Sequence, residues 1–269
     1  SHCWGTLAGR TDVFMLTRST LAQLRAPRPV ASLPPTFRDA FEIVSRLGLR
    51  HLWIDRLCVV QDSPAHWAAE AALMHDIYKH TYLNVSGARR VQRPRRLLLR
   101  ARSRRHSSCY LRSEWHTQPL VSRAWIVQER LLPPMVLHFG SSQVFWECMA
   151  LQACDAQPSY PRDEDMSRGQ VEGADEVTRL LAEWGEHVVV YSDCKLTMPG
   201  DKLVAISGLA KDTQQRLAET GASSTIYLAG LWKCGLANSL LWHRREGHLH
   251  PAPPAVYRAP SWSWAAVDG

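Results

Sequence analysis

The sequence has no apolar run approaching the about 20 residues that a membrane-spanning helix needs. No CxxC pair occurs, and the seven cysteines fall at irregular intervals, with five residues between Cys148 and Cys154. Structural zinc and a disulfide framework both lack their spacing. An odd cysteine count without a framework argues for a reducing, cytoplasmic setting. GxSxG, P-loop, HExxH and GxGxxG are all absent, so hydrolase, NTPase, zincin and Rossmann readings have no local motif. No Met and no signal-type leader open the chain at Ser1, and the expectation is a piece of a longer protein whose first strand is cut short.

Acidic residues are missing from one stretch in particular. Nine arginines lie between Arg89 and Arg105 with no carboxylate among them, and nine exceeds the whole net charge of +7. The rest of the chain is therefore slightly acidic, and a basic footprint over a whole domain is lacking. The arginine segment also lacks the interleaved aromatics of a nucleic-acid groove. It reads as a solvated loop, and nucleic acid is not an expected partner.

What is present is organised around residues 49–82. His51 to Gln61 is mostly apolar and reads as a strand covered on both faces, interrupted by Asp55. Ser63 and Pro64 are a helix start. Trp67, Glu70, Ala71, Met74, Ile77, Tyr78 and Thr81 then recur at helical spacing, which puts Glu70 on the stripe expected to face inward. Upstream, Phe37, Ala40, Phe41, Val44 and Leu47 make an amphipathic helix between Pro34–Pro35 and Gly48. A brief strand is expected at Tyr82–Val85.

Downstream, a helix is expected over Pro119–Leu132, ended by Pro133–Pro134. A β-hairpin is expected from Met135–Phe139 and Gln143–Cys148. Residues 155–175 are polar and Pro/Gly-containing, a linker candidate. Helical patterns follow at Val177–Tyr191, Lys202–Glu219 and Tyr227–His243, and Ala259–Asp268 reads as a closing strand. The class is α/β: a parallel sheet flanked by helices over residues 1–154, a linker over 155–175, and a mostly helical extension over 176–269.

Two carboxylates carry the candidate chemistry. Glu70, flanked by Trp67 and Met74, is suited to acid/base work or to stabilising a developing cation; the competing reading is an ion pair with Arg56 or His75. Asp55 stands near the carboxyl end of a strand, where open α/β sheets bind ligands, and reads equally as a loop anchor. Arg123, Trp125, Gln128 and Glu129 share a short helix, on two faces by their spacing. His2 and Cys3 have no third orienting group beside them.

Several of these stretches together resemble the fungal heterokaryon-incompatibility (HET) family. Ser1-His2-Cys3-Trp4-Gly5 is similar to the family's Ser-Tyr-x-Trp-Gly. Leu33-Pro34-Pro35-Thr36-Phe37-Arg38-Asp39-Ala40 is similar to its Leu-Pro-x-Thr-x-x-Asp-Ala. Trp53-Ile54-Asp55 with Leu57-Cys58-Val59-Val60-Gln61 resembles its Trp-Ile-Asp-x-Leu-Cys-Ile-x-Gln, and Trp67, Glu70, Met74, Ile77 and Tyr78 match the helix that follows. Arg123-Ala124-Trp125 with Gln128-Glu129 resembles Arg-Gly-Trp-x-x-Gln-Glu. Phe145-Trp146-Glu147-Cys148 and the tail Ala259-Pro260-Ser261-Trp262-Ser263-Trp264 match later segments. His2 stands where the family has Tyr, and Ala124 where it has Gly.

The resemblance implies an intracellular fungal protein of non-self recognition, an innate-immunity role, whose HET domain triggers programmed cell death. It implies a core like that of Toll/interleukin-receptor (TIR) domains and flavodoxin. Some TIR domains cleave NAD with a helix Glu preceded by Trp, an arrangement similar to Trp67-Ala68-Ala69-Glu70. On that likeness Glu70 is the catalytic candidate and NAD a substrate rather than a cofactor. Trp4, Gly5, Asp55, Trp67, Arg123, Trp125, Gln128 and Glu129 are the substrate-binding candidates, and no metal is implied. The other reading is a non-enzymatic module acting by self-association or through a signalling partner.

Overall fold

The computed structural model describes residues 2–4, 14–87, 122–140, 144–154, 157–161, 174–243 and 257–268. The chain forms two compact units: Ser1–Val121 with Glu129–Arg162, and Ser122–Gln128 with Asp163–Gly269. The arginine-rich segment 89–105 lies outside the described residues.

In the first unit the chain runs β1 (His2–Trp4), α1 (Leu21–Arg25), α2 (Pro35–Arg46), β2 (Trp53–Ile54), α3 (Asp55–Cys58), α4 (Pro64–Lys79) and β3 (Leu83–Gly87). After α5 (Trp125–Leu131), which the boundary between the units divides after Gln128, come β4 (Met135–Phe139), β5 (Val144–Cys148), β6 (Leu151–Cys154) and β7 (Gln157–Pro161). The strands form one sheet in the order β2-β1-β3-β4-β5-β6-β7. Pairing is parallel from β2 to β4 and antiparallel from β4 to β7. The class is thus α/β, but the sheet is mixed where a parallel one was expected. The reason is local: the connection at residues 140–143 is too short for a crossover, so β5 must fold back on β4 as a hairpin. Strand β7 falls inside the segment read as a linker.

Helix α2 follows from its punctuation. Pro35 opens it, and at its end Gly48 takes φ +70. There the Leu49 N–H bonds the Val44 carbonyl and the Gly48 N–H the Ser45 carbonyl, each at 3.0 Å, a Schellman ending. Phe37, Ala40 and Ile43 face Ile54, Leu83 and Val85 in the core. Leu47, expected on that face, is exposed, because Ile43 takes the inward position.

The expected strand over residues 51–61 is only two residues long. Asp55 turns it into α3, where the Val59 N–H bonds the Asp55 carbonyl at 2.9 Å. An apolar run does not by itself separate strand from buried helix, and a carboxylate at a first helical turn is favoured by the orphan N–H groups there. Helix α4 begins as read, with Ser63 accepting from the His66 N–H and Pro64 at the first position. Its buried face is Ala71, His75 and Tyr78; Glu70 lies at the flank, and Trp67 is exposed. The inward stripe is therefore rotated away from the Trp67/Glu70 edge on which it was placed.

The second unit contains α6 (Glu176–Ser192), α7 (Ser207–Glu219), β8 (Tyr227–Leu228), β9 (Leu231–Trp232) and α8 (Leu236–Ser239). Arg216 clasps Glu183 between α6 and α7 with two bonds of 2.7 and 2.8 Å. Where a helix over Tyr227–His243 was expected, β8 and β9 form a hairpin. Its two-residue turn has φ 42 at Ala229 and φ 103 at Gly230, the left-handed pair such turns require. The indoles of Trp184 and Trp264 both donate to the Gly230 carbonyl, at 2.9 and 3.0 Å. The expected closing strand is instead a 3-10 turn at Trp264–Ala266, capped by Ser263, whose hydroxyl also donates to the Ala229 carbonyl at 2.5 Å. Serine at that cap favours a helical turn over an extended one.

Candidate functional site

The carboxyl ends of the first three parallel strands coincide. Trp4 stands in register with Ile54 on one side and Val85 on the other. β1 is also where the chain changes direction across the sheet, β2 going to one side and β3 to the other. Such a position is where an open α/β sheet leaves a crevice. Gly5, the next candidate along β1, lies outside the described residues.

Asp55 follows β2 directly, and its Oδ1 accepts the Arg56 N–H at 2.7 Å. The loop beyond it is tied down on several sides. Leu16 bonds the Arg56 carbonyl at 2.7 Å and receives the Gln61 N–H at 2.8 Å. The Gln61 amide reaches back to the Val59 and Asp55 carbonyls at 2.9 and 3.2 Å. The Arg18 N–H bonds Asp62 Oδ1 at 2.9 Å. This lattice holds the loop against the start of α4.

His66 and Glu70 stand one turn apart on α4, with His66 Nε2 3.9 Å from Glu70 Oε1. The Glu70 side chain keeps 23% of its surface exposed, so it is neither sealed in the core nor locked in a tight ion pair. Neither Arg56 nor His75 pairs with it; His75 Nδ1 lies 2.8 Å from Asp76 Oδ1. Asp55 and Glu70 both act on Cys58. Burial pushes the Cys58 thiol up, a backbone hydrogen bond at Ile54 opposes this, and the charges of Asp55 and Glu70 push it further up. The structure thus brings two carboxylates into electrostatic range of one half-buried sulfur at the carboxyl edge of the sheet. Negative charge of this kind attracts and stabilises positive charge. Trp67, 37% exposed, stands one turn before Glu70.

Arg123, Trp125 and Gln128 belong to the second unit. Arg123 bridges to Lys195, beside a 3.0 Å bond from the Ala124 N–H to the Lys195 carbonyl. Gln128 is buried, and its side-chain amide has no hydrogen-bond partner among the described residues. Glu129, in the first unit, is buried, and its carbonyl accepts from Asn84 Nδ2 at 2.6 Å.

A second constellation was not among the candidates. Glu147 on β5 receives Arg130 Nε at 2.8 Å and Arg130 Nη2 at 3.0 Å, with His138 Nε2 3.2 Å away. Burial alone would raise the Glu147 carboxyl; the His138 hydrogen bond and the Arg130 charge outweigh it and hold it well below the usual carboxylate range. Burial pushes the His138 imidazole below its ordinary value, partly offset by Glu147. One signal was available: Phe145 and Glu147 alternate onto one strand face, so an acid shares that face with an aromatic and requires a buried partner.

Among the described residues no three His, Cys, Asp or Glu side chains are placed to share a metal ion, and no helix is long and apolar enough to cross a membrane. No curated protein and no solved structure matches the chain. Residues 1–129 match the family model described as heterokaryon incompatibility protein (HET). The match takes in β1, the Asp55–Glu70 site and α5 up to Glu129, so this part of the chain is similar to the heterokaryon incompatibility domain.

Proposed function

We propose that the protein is a cytoplasmic component of fungal non-self recognition whose HET domain triggers programmed cell death by cleaving NAD. One observation carries this reading: Glu70 stays partly exposed on α4, which follows the loop leaving β2 at Asp55, at the carboxyl edge of the parallel strands. The strand order β2-β1-β3-β4 supports the TIR- and flavodoxin-like reading of the core, in which a ligand lies at this edge. In the reaction the bond between the ribose C1′ and the nicotinamide nitrogen breaks, and its electron pair leaves with nicotinamide. Positive charge develops on the ribose, water adds at C1′, and a proton is released with ADP-ribose. Glu70 stabilises the developing cation, and Asp55 adds to the negative potential. Trp67 supplies an aromatic face for the base or ribose.

Purified protein incubated with NAD, followed for nicotinamide release beside Glu70→Gln, tests the proposal. Release by the wild type and none by the variant is expected. A second reading, a non-enzymatic module acting by self-association or through a signalling partner, is favoured by the exposure of Trp67 on α4. Cell death that persists in Glu70→Gln and disappears in Trp67→Ala would support it instead.

A further inference from the structure

His66 has no part in the chemistry above, yet the geometry connects it to Glu70. The Val60 N–H donates to His66 Nδ1 at 3.3 Å. A neutral imidazole whose Nδ1 accepts a hydrogen bond carries its proton on Nε2. That nitrogen is the one turned toward Glu70 Oε1, at 3.9 Å. Val60 belongs to the tied loop, and the His66 backbone is anchored in turn by its N–H, which donates to Ser63 Oγ at 3.4 Å. Among the described residues the Glu70 carboxylate accepts no hydrogen bond, so the Nε2–H is the donor available to set its orientation.

We infer that His66 is a positioning residue for Glu70: its Nε2–H, aimed by the Val60 backbone, holds the carboxylate in the rotamer that faces the reacting ribose. The inference rests on the NAD-cleavage reading for its kinetic consequence, and on the tautomer alone for its structural one.

Two variants separate the roles of the two ring nitrogens. Asn at position 66 keeps a group at the Nδ1 level, which can still accept from Val60, and loses the donor at the Nε2 level. Gln restores a donor at about that reach. His66→Asn is expected to lower kcat about tenfold or more, the worth of one hydrogen bond to a charged group, with KM changed less than about twofold. His66→Gln is expected to recover most of the rate, and both should melt as the wild type does. Equal loss in both variants, or no loss in His66→Asn, overturns the inference while leaving NAD cleavage standing.

Ring 15N spectra of full-length protein near neutral pH test the tautomer independently of turnover. His66 is expected as the Nε2–H tautomer, with its Nε2 signal moving in Glu70→Gln. An Nδ1–H tautomer, or an unmoved signal, overturns the inference. If the wild type releases no nicotinamide, the cleavage reading fails, and the spectra still show whether His66 faces Glu70 with its proton.

Discussion

Removing Arg130 should leave the buried Glu147 carboxylate without the guanidinium that engages both its oxygens. Glu147 keeps 5% of its side-chain surface exposed and Arg130 keeps 26%, so the pair is largely but unequally withdrawn from water. Breaking a buried pair by deleting one partner costs about 3–5 kcal/mol, and the partial exposure of Arg130 argues for the lower end. Arg130→Met, which keeps the length of the stem and loses the guanidinium, should therefore destabilise the first unit by about 3 kcal/mol at neutral pH. The opposite outcome follows from adding a second change. In Arg130→Met/Glu147→Gln the buried charge is gone and the amide can still meet His138, so the double variant should be more stable than Arg130→Met alone. Urea unfolding of the three proteins at fixed ionic strength measures both quantities. A cost under about 1 kcal/mol, the range of exposed ion pairs, would refute the claim that the network is buried in the energetic sense. A double variant less stable than the single would refute the claim that the stranded carboxylate is the source of the loss.

The remaining predictions are narrower. Acid should weaken the first unit through both groups of this network. Glu147 and His138 are each depressed below their ordinary values in the folded state, so the unfolded chain binds more protons; the stability they contribute is present above their unfolded values, 6.5 for His138 and 4.5 for Glu147. It should fall below pH about 6.5 by up to ~1.4 kcal/mol per pH unit for each group titrating, and Glu147→Gln should flatten the lower part of the curve. Gly230→Ala should destabilise the second unit by more than about 1 kcal/mol, because a Cβ there would sit 2.5 Å from Trp264 Nε1 and φ is +103. Thermal melting with near-UV circular dichroism reads the loss of the Trp184 and Trp264 packing. Glu70→Gln should change stability by less than about 1 kcal/mol, since its partner is a half-exposed histidine at 3.9 Å.

Which parts of this molecule were legible in its sequence follows from the range over which each signal acts. The Ser63–Pro64 start of α4, the Schellman ending at Gly48 and the hairpin around residues 140–143 are decided within a few residues, and each formed as read. The strand expected over 51–61 and the helix expected over Tyr227–His243 failed for a shared reason. Both are apolar stretches whose hydrophobicity states that they are buried and not in which conformation. In the first, Asp55 starts a turn of helix; in the second, the left-handed pair Ala229–Gly230 reverses the chain. Neither side chain announces this, because alanine at positive φ is held by the two indoles and the serine that bind the turn's carbonyls, contacts 34 to 46 residues away.

The same distinction divides the carboxylates, and it bears on function. Glu70 was legible because helical periodicity is local, although it stands at the flank of the stripe rather than inside it. Glu147 was not, because its partners come from α5 and from the neighbouring strand, and register between strands is a tertiary fact. On the proposed reading the two carboxylates do opposite work. Glu147 has both carboxylate oxygens engaged by Arg130 and His138, so its charge is spent on fixing helix to hairpin, and a substrate would have to displace those bonds to use it. Glu70 is partly exposed and faced by His66 Nε2 at 3.9 Å. A charge that does little for the fold is available to a cation that forms only during a reaction, which is the difference in binding that accelerates a chemical step. If Glu70→Gln and Arg130→Met exchanged their predicted effects, so that the helix acid proved essential to stability and the hairpin network dispensable, the division of labour drawn between these two sites would fall with them.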